Sequence, residues 1–304
     1  MANIADMLKQ HTDKPNRILY RQFIDNEWVD FKVSEIQNLV AAWQKYFESI
    51  GLLEGDRVAI CLKNGIHWVA CDLAALGMGL VSVPLYVDDN AANITYCITD
   101  SGARVVLVEN DRIGRNLTRE GLKDTIILSL KSDLGTGKEG DMQTVDSALQ
   151  EFRNFNGQPE VLELEENTLA TICYTSGTSG RPKGVMLSHK NVLANVNSCF
   201  QLDIAVPDDT FLSFLPMSHM FERTGGYYLP LRVGAKVVYA RGINQLPDDL
   251  ATQAPTVLFA VPRIFEKFYG RIQASVKDSG FKRRAFEKLV SVGWRMEQGK
   301  GGIL

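Results

Sequence analysis

Residues 174–190 read Tyr-Thr-Ser-Gly-Thr-Ser-Gly-Arg-Pro-Lys-Gly-Val-Met-Leu-Ser-His-Lys. The uncharged run from Leu169 to Tyr174 leads in and suits a buried strand. Gly177 and Gly180 let the backbone turn with its amides inward, the geometry of an anion-binding nest. Thr175, Ser176, Thr178 and Ser179 add hydroxyl donors, and Lys183 adds a mobile positive charge suited to a polyphosphate. Hydrogen bonds to charged oxygens contribute roughly 1.5–3 kcal/mol each, so several together hold a nucleotide tail. Val185–Leu187 then reads as a second strand, and Ser188 as the N-cap of a helix over 191–200. The loop is therefore expected to join two strands.

The P-loop of nucleoside triphosphatases requires Gly-Lys-Ser/Thr running straight into a helix. Here Pro182 precedes the lysine and Gly184 follows it, so that pattern fails. Clusters of Gly, Ser and Thr are commonly solvated loops or linkers. The apolar lead-in, the Arg-Pro-Lys-Gly that follows and the absence of charge among the small residues outweigh that reading.

Outward from this segment, helical and extended patterns alternate. Ile66, Val69, Ala70, Leu73 and Leu76 recur at helical spacing, and Leu80–Leu85 reads as a short buried strand. Trp68–Val87 carries one charge, but Asp72, Gly77, Gly79 and Pro84 argue against a membrane span. A helix is expected over 91–99, with strands over 103–108 and 125–130. Residues 131–143 read as an exposed connection, and 152–167 as a separator. Asp88-Asp89 and Asp208-Asp209 read as caps and turn formers rather than metal ligands; no metal ligand is assigned.

The 304 residues are 45% hydrophobic and 23% charged, enough for a substantial α/β core. A net charge of −3 gives no global field for nucleic acid. Five cysteines without a Cys-x-x-Cys pair point to a reducing compartment, and with the absence of an N-terminal apolar stretch to the cytoplasm. From Arg263 to Lys300 ten basic residues face four acidic ones. Phe281, Ala285, Leu289, Val292 and Met296 form one helical stripe there, expected to pack on its own domain. Peripheral contact with an acidic membrane, on the inner face, is the other use of such a helix.

With these residues quoted, the 174–190 string resembles the phosphate loop of the adenylate-forming superfamily, which includes acyl- and aryl-CoA synthetases, luciferases and peptide-synthetase adenylation domains. Residues 211–240, with Ser-His-Met-Phe-Glu-Arg-Thr at 218–224, and 261–267 (Val-Pro-Arg-Ile-Phe-Glu-Lys) are similar to the long-chain fatty acyl-CoA synthetases. The resemblance implies the N-terminal portion of a large α/β domain, with β-sheets flanked by helices in two subdomains, 1–160 and 161–304. It implies ATP phosphates on Thr175, Ser176, Gly177, Thr178, Ser179, Gly180 and Lys183. It also implies a catalytic role for His219 beside the acid, and an acyl pocket at Phe221, Val261 and Pro262. Some long-chain relatives carry a gating aromatic four residues after that histidine; Arg223 stands there, so no gate is assigned and a salt bridge with Glu222 or another acid is expected instead.

The activity implied is ligation. A fatty acid and ATP give acyl-AMP and pyrophosphate, and CoA then takes the acyl group as a thioester. Mg2+ would accompany ATP. The adenine, ribose and magnesium segments and the small C-terminal domain of the family are not found in the sequence, so the chain is expected to be an N-terminal fragment with little turnover of its own. Acyl chain length and oligomeric state are not legible. Two other classes stay open: an atypical NTP hydrolase, releasing phosphate without an acid or thiol, and a non-catalytic nucleotide- or acyl-binding module.

Overall fold

The structure, a computed structural model, describes residues 2–132, 142–153, 155, 157–175, 180–276 and 279–297. Two compact units are present, Met1–Phe259 and Ala260–Leu304.

The first unit is built on two sheets. Strands β3 (Arg57–Cys61), β4 (Val81–Pro84), β5 (Ala103–Asn110), β6 (Ile126–Lys131), β7 (Leu169–Thr175) and β8 (Lys183–Ser188) form a six-stranded sheet in the order β6-β5-β3-β4-β7-β8. All pairings are parallel except β7 with β8. The parallel strands are covered on both faces, which is why they read as continuous apolar runs rather than alternations. Val58 and Ile60 enter one core with the helices Val33–Ser49 and Ile66–Gly77, whereas Ala59 and Cys61 enter the other with the helix Ala91–Ser101. The expected boundary at 160 lies between strands of this one sheet, since β4 pairs with β7.

A second sheet, in the order β2-β1-β10-β9, joins the hairpin β1 (Ile18–Ile24) and β2 (Glu27–Lys32) to β9 (Thr210–Ser213) and β10 (Lys236–Tyr239). Asp25 and Asn26, both at positive φ, make the two-residue turn whose twist matches the hairpin.

The elements expected around the phosphate segment are present. β7 and β8 form an antiparallel pair, and the helix His189–Gln201 is capped by Ser188, whose hydroxyl accepts from the Asn191 amide. At 88–90 the cap is Asn90, with Asp89 accepting from the Asn90 and Asn93 side-chain amides behind it. Asp209 closes its turn onto the Val206 amide. The connection expected at 131–143 lies mostly outside the described residues. No helix among the described residues is long and apolar enough to cross a membrane; Trp68–Val87 is a helix end, a turn and a strand.

In the second unit the helices Pro262–Val276 and Gly280–Glu297 meet through Tyr269 and Phe286, ring centroids 5.9 Å apart. The expected packed stripe is corrected here. Phe281 and Leu289 on it are exposed, because a pair of helices buries one seam and Phe286 takes it.

Candidate active site

β4 and β7 run parallel in one sheet and β9 is an edge strand of the other; in open α/β sheets ligands bind beyond the carboxyl ends of strands. Past β4 lies Tyr86, past β9 lies the turn that delivers His219, and β7 ends on Thr175. These residues line one cavity of about 230 Å³, together with Gly180, Pro182 and Ser218. Thus Thr175 and Gly180 of one loop and His219, distant from them in sequence, line one space. The Tyr86 and His219 rings are 6.0 Å apart. Ser218 adds a sheltered hydroxyl that has no hydrogen-bond partner among the described residues.

Lys183 is the first residue of β8, paired across the ladder with Thr175 and exposed. Ser176, Gly177, Thr178 and Ser179 lie outside the described residues. Phe221 does not line the cavity; it turns edge-on to Phe259, centroids 5.7 Å apart, and Phe259 stacks on Phe211. Gly225 makes this possible, since a Cβ there would sit 2.5 Å from the Phe259 ring. Val261 and Pro262 belong to the second unit, where both are exposed.

The turn carrying His219 is held from the other sheet. Asn64, just past β3, accepts from the Met217 amide (3.0 Å) and donates to the Leu215 carbonyl (2.7 Å) and to Ser213 Oγ (2.9 Å). Ser213 in turn donates to Glu222 Oε1 at 2.7 Å. Buried Glu222 has its carboxyl pushed up to about 7 by desolvation, against the pull of that hydrogen bond. Gly226 leaves room for the carboxyl, which a Cβ would approach to 2.3 Å.

Residues 223–228 form a π-helical turn, the kind of irregularity found mostly at functional sites. Arg223 at its start is fully buried. The expected salt bridge with Glu222 is absent. Arg223 instead donates to Thr171 Oγ1 (2.8 Å) and Cys173 Sγ (3.5 Å), and lies 5.9 Å from the ring centroids of Trp68 and Tyr228. Its charge faces buried Asp72, which accepts from the Tyr227 and Tyr228 hydroxyls. Burial raises the Asp72 carboxyl, opposed by the nearby guanidinium. The physical reason is helical geometry: adjacent residues 222 and 223 do not share a face, so they meet different interior partners.

With the geometry in view, the comparisons with known proteins decide the family. A sequence profile described as "AMP-binding enzyme" matches residues 8–296. The chain belongs to the AMP-binding enzyme family. It is 28% identical over 308 residues to the long-chain-fatty-acid–CoA ligase FadD15 of Mycobacterium bovis, an alignment covering 99% of this chain and 50% of that protein. It is 31% identical over 272 residues to human long-chain-fatty-acid–CoA ligase 1, covering 81% of this chain and 37% of the other. Among solved structures, the N-terminal domain of FACL13 from Mycobacterium tuberculosis superimposes with a TM-score of 0.74 at 22% identity, covering 88% of this chain and 64% of that one. The fold is therefore that of the N-terminal domains of adenylate-forming enzymes. The chain spans about half the length of the curated relatives it matches first.

Two residues of this AMP-binding enzyme escaped the sequence reading. Tyr86 and Asn64 each stand just past the carboxyl end of a strand, β4 and β3, and that position was the signal available for them.

Proposed function

We propose that this chain supplies the phosphate-binding and acid-positioning half of an ATP-dependent ligase that activates a long-chain fatty acid as acyl-AMP and then forms the acyl-CoA thioester. The observation that carries the reading is the convergence of Thr175, Gly180 and His219 on one cavity.

The chemistry follows from the charges. A carboxylate oxygen attacks the α-phosphorus of ATP, and the bond from that phosphorus to the bridging oxygen of pyrophosphate breaks. Two anions must approach in line, so donors have to be in place before the reaction. Thr175, the Gly180 amide and the mobile ammonium of Lys183 are suited to the β- and γ-phosphates and to the departing pyrophosphate. His219, which lines the same cavity with Tyr86 and Ser218, is suited to hold the acid. The mixed anhydride so formed is open to attack by the CoA thiol, which takes the acyl group as AMP leaves. Magnesium in such sites is held by phosphate oxygens with one or two carboxylates. Among the described residues no group of three His, Cys, Asp or Glu side chains that could hold a metal ion occurs; the magnesium ligands are expected mostly in the part of the relatives that this chain does not span. Phe221, Val261 and Pro262 stay assigned to the acyl pocket by resemblance, and the words at 218–224 and 261–267 favour long chains on the same ground.

The test is fatty-acid-dependent exchange of labelled pyrophosphate into ATP, run on the 304-residue chain and on a longer chain extended to the relatives' length. Exchange by the longer chain alone is the expected result. ATP hydrolysis to ADP and phosphate without acid or thiol would instead identify a hydrolase, and binding of ATP without exchange by either chain would identify a binding module.

A further inference from the structure

We propose that one face of the Ala91–Ser101 helix, carrying Tyr96 and Asp100, is a positioning platform that holds both flanks of the phosphate-binding segment. The proposal rests on the phosphate-binding reading of Thr175–Lys183.

Tyr96 and Asp100 are four residues apart and so share a helix face. Both oxygens of Asp100 are used: Oδ2 accepts from the Tyr174 hydroxyl at 2.7 Å, and Oδ1 from the Tyr96 hydroxyl at 3.3 Å. Tyr174 is the residue just before Thr175, so this bond fixes the incoming flank. The outgoing flank is held by the same face, because the Arg181 guanidinium lies over the Tyr96 ring, 5.3 Å from its centroid. Across the ladder from Tyr174 stands Gly184. A Cβ there would come within 3.2 Å of the Tyr174 ring, so the glycine leaves the phenol free to reach Asp100.

The helix itself is fixed at both ends. Asn90 accepts from the Asn93 amide at its start, and the Arg57 guanidinium donates to the Ser101 and Gly102 carbonyls at its end. Its first turns, through Asn93 and Cys97, also wall the cavity shared by Thr175 and His219. One helix therefore borders the cavity and contacts both described flanks of the segment, at Tyr174 and Arg181.

Asp100 and Arg181 are exposed, so these contacts add little to global stability. A platform and a merely structural contact thus give different results. In the 304-residue chain, trypsin cleavage after Lys183 is expected to accelerate roughly two- to tenfold in Tyr174→Phe, Asp100→Ala and Tyr96→Leu, with little change in Tm. Asp100→Asn, which keeps an acceptor oxygen, is expected to stay near the unsubstituted rate. In the longer ligase the first three raise the KM for ATP by a similar factor and leave kcat and the KM for fatty acid in place.

Unchanged cleavage in all three variants overturns the platform. Faster cleavage with an unchanged KM for ATP overturns its positioning role, as does a fall in Tm that accounts for the faster cleavage. Absence of exchange in the unsubstituted ligase sinks the ligase reading instead, and the cleavage rates still decide whether the flanks are held.

Discussion

At the scale of single residues, the division of labour across the cavity predicts how substitutions split. Lys183 and Thr175 are assigned to phosphate, so Lys183→Ala and Thr175→Ala should weaken ATP use by roughly tenfold or more, the worth of one charge-assisted hydrogen bond. His219→Ala should instead lower acid-dependent exchange with the KM for ATP nearly unchanged; steady-state kinetics of the longer ligase separate the two. Glu222 carries a pH prediction. Its folded pKa is raised from 4.5 to about 7, so the folded state binds the extra proton between these values. Stability from this group is present below 4.5 and is lost as pH rises through 7, by up to roughly 3 kcal/mol. Glu222→Gln keeps the bond from Ser213 and removes the titration. Urea midpoints should then decline less between pH 4.5 and 7 than in the unsubstituted chain.

At the scale of elements, the helix His189–Gln201 shows the opposite dependence. His189 is buried, and its Nδ1 accepts from the Ile4 amide at 3.2 Å, tying the start of the helix to the N-terminal segment. Desolvation lowers its pKa to about 4, so the unfolded chain binds more protons between 4 and 6.5. The stability it contributes is present above 6.5 and lost as pH falls through 4, up to roughly 3 kcal/mol. His189→Gln should flatten the acid limb of a denaturant midpoint against pH; an unchanged limb would mean that His189 is not the group responsible. The β7–β8 pair and this helix were legible because strand, turn glycines and cap stand in sequence order. Local chemistry, namely Ser188 capping the Asn191 amide, sets them. The β1–β2 hairpin was missed although Asp25-Asn26 marks its turn. Its strands pair onward with β10, more than two hundred residues away, and no local pattern specifies that partner.

At the scale of the whole first unit, Arg223 and Asp72 join layers that are distant in sequence. Arg223 bonds β7 through Thr171 and Cys173, while Asp72 on the Ile66–Gly77 helix receives the two tyrosines that follow Arg223. Arg223→Met leaves the Asp72 carboxyl without its countercharge in the core. Removing one partner of a buried charge pair costs about 3–5 kcal/mol. Urea denaturation should register that loss, and Arg223→Met/Asp72→Asn together should recover part of it; equal midpoints for the single and double variants would show that the charges do not interact.

What the sequence determined by itself was local and periodic: the helices near 66–76 and 91–99 with the strands near 80–85, 103–108 and 125–130, the strand–loop–strand of 169–188, and the donors gathered in one loop. These follow from apolar spacing, glycine placement and capping, which act over a few residues. The helix Asp111–Arg119, between β5 and β6, was missed. Only the tertiary structure decided that Tyr86 stands opposite His219, that Asn64 holds the His219 turn, and that Arg223 faces Asp72 rather than Glu222. Each of these depends on which strands and helices lie side by side in the fold. Long-range pairing of that kind is fixed by burial and hydrogen-bond satisfaction across the core, and adjacency in the chain carries no trace of it.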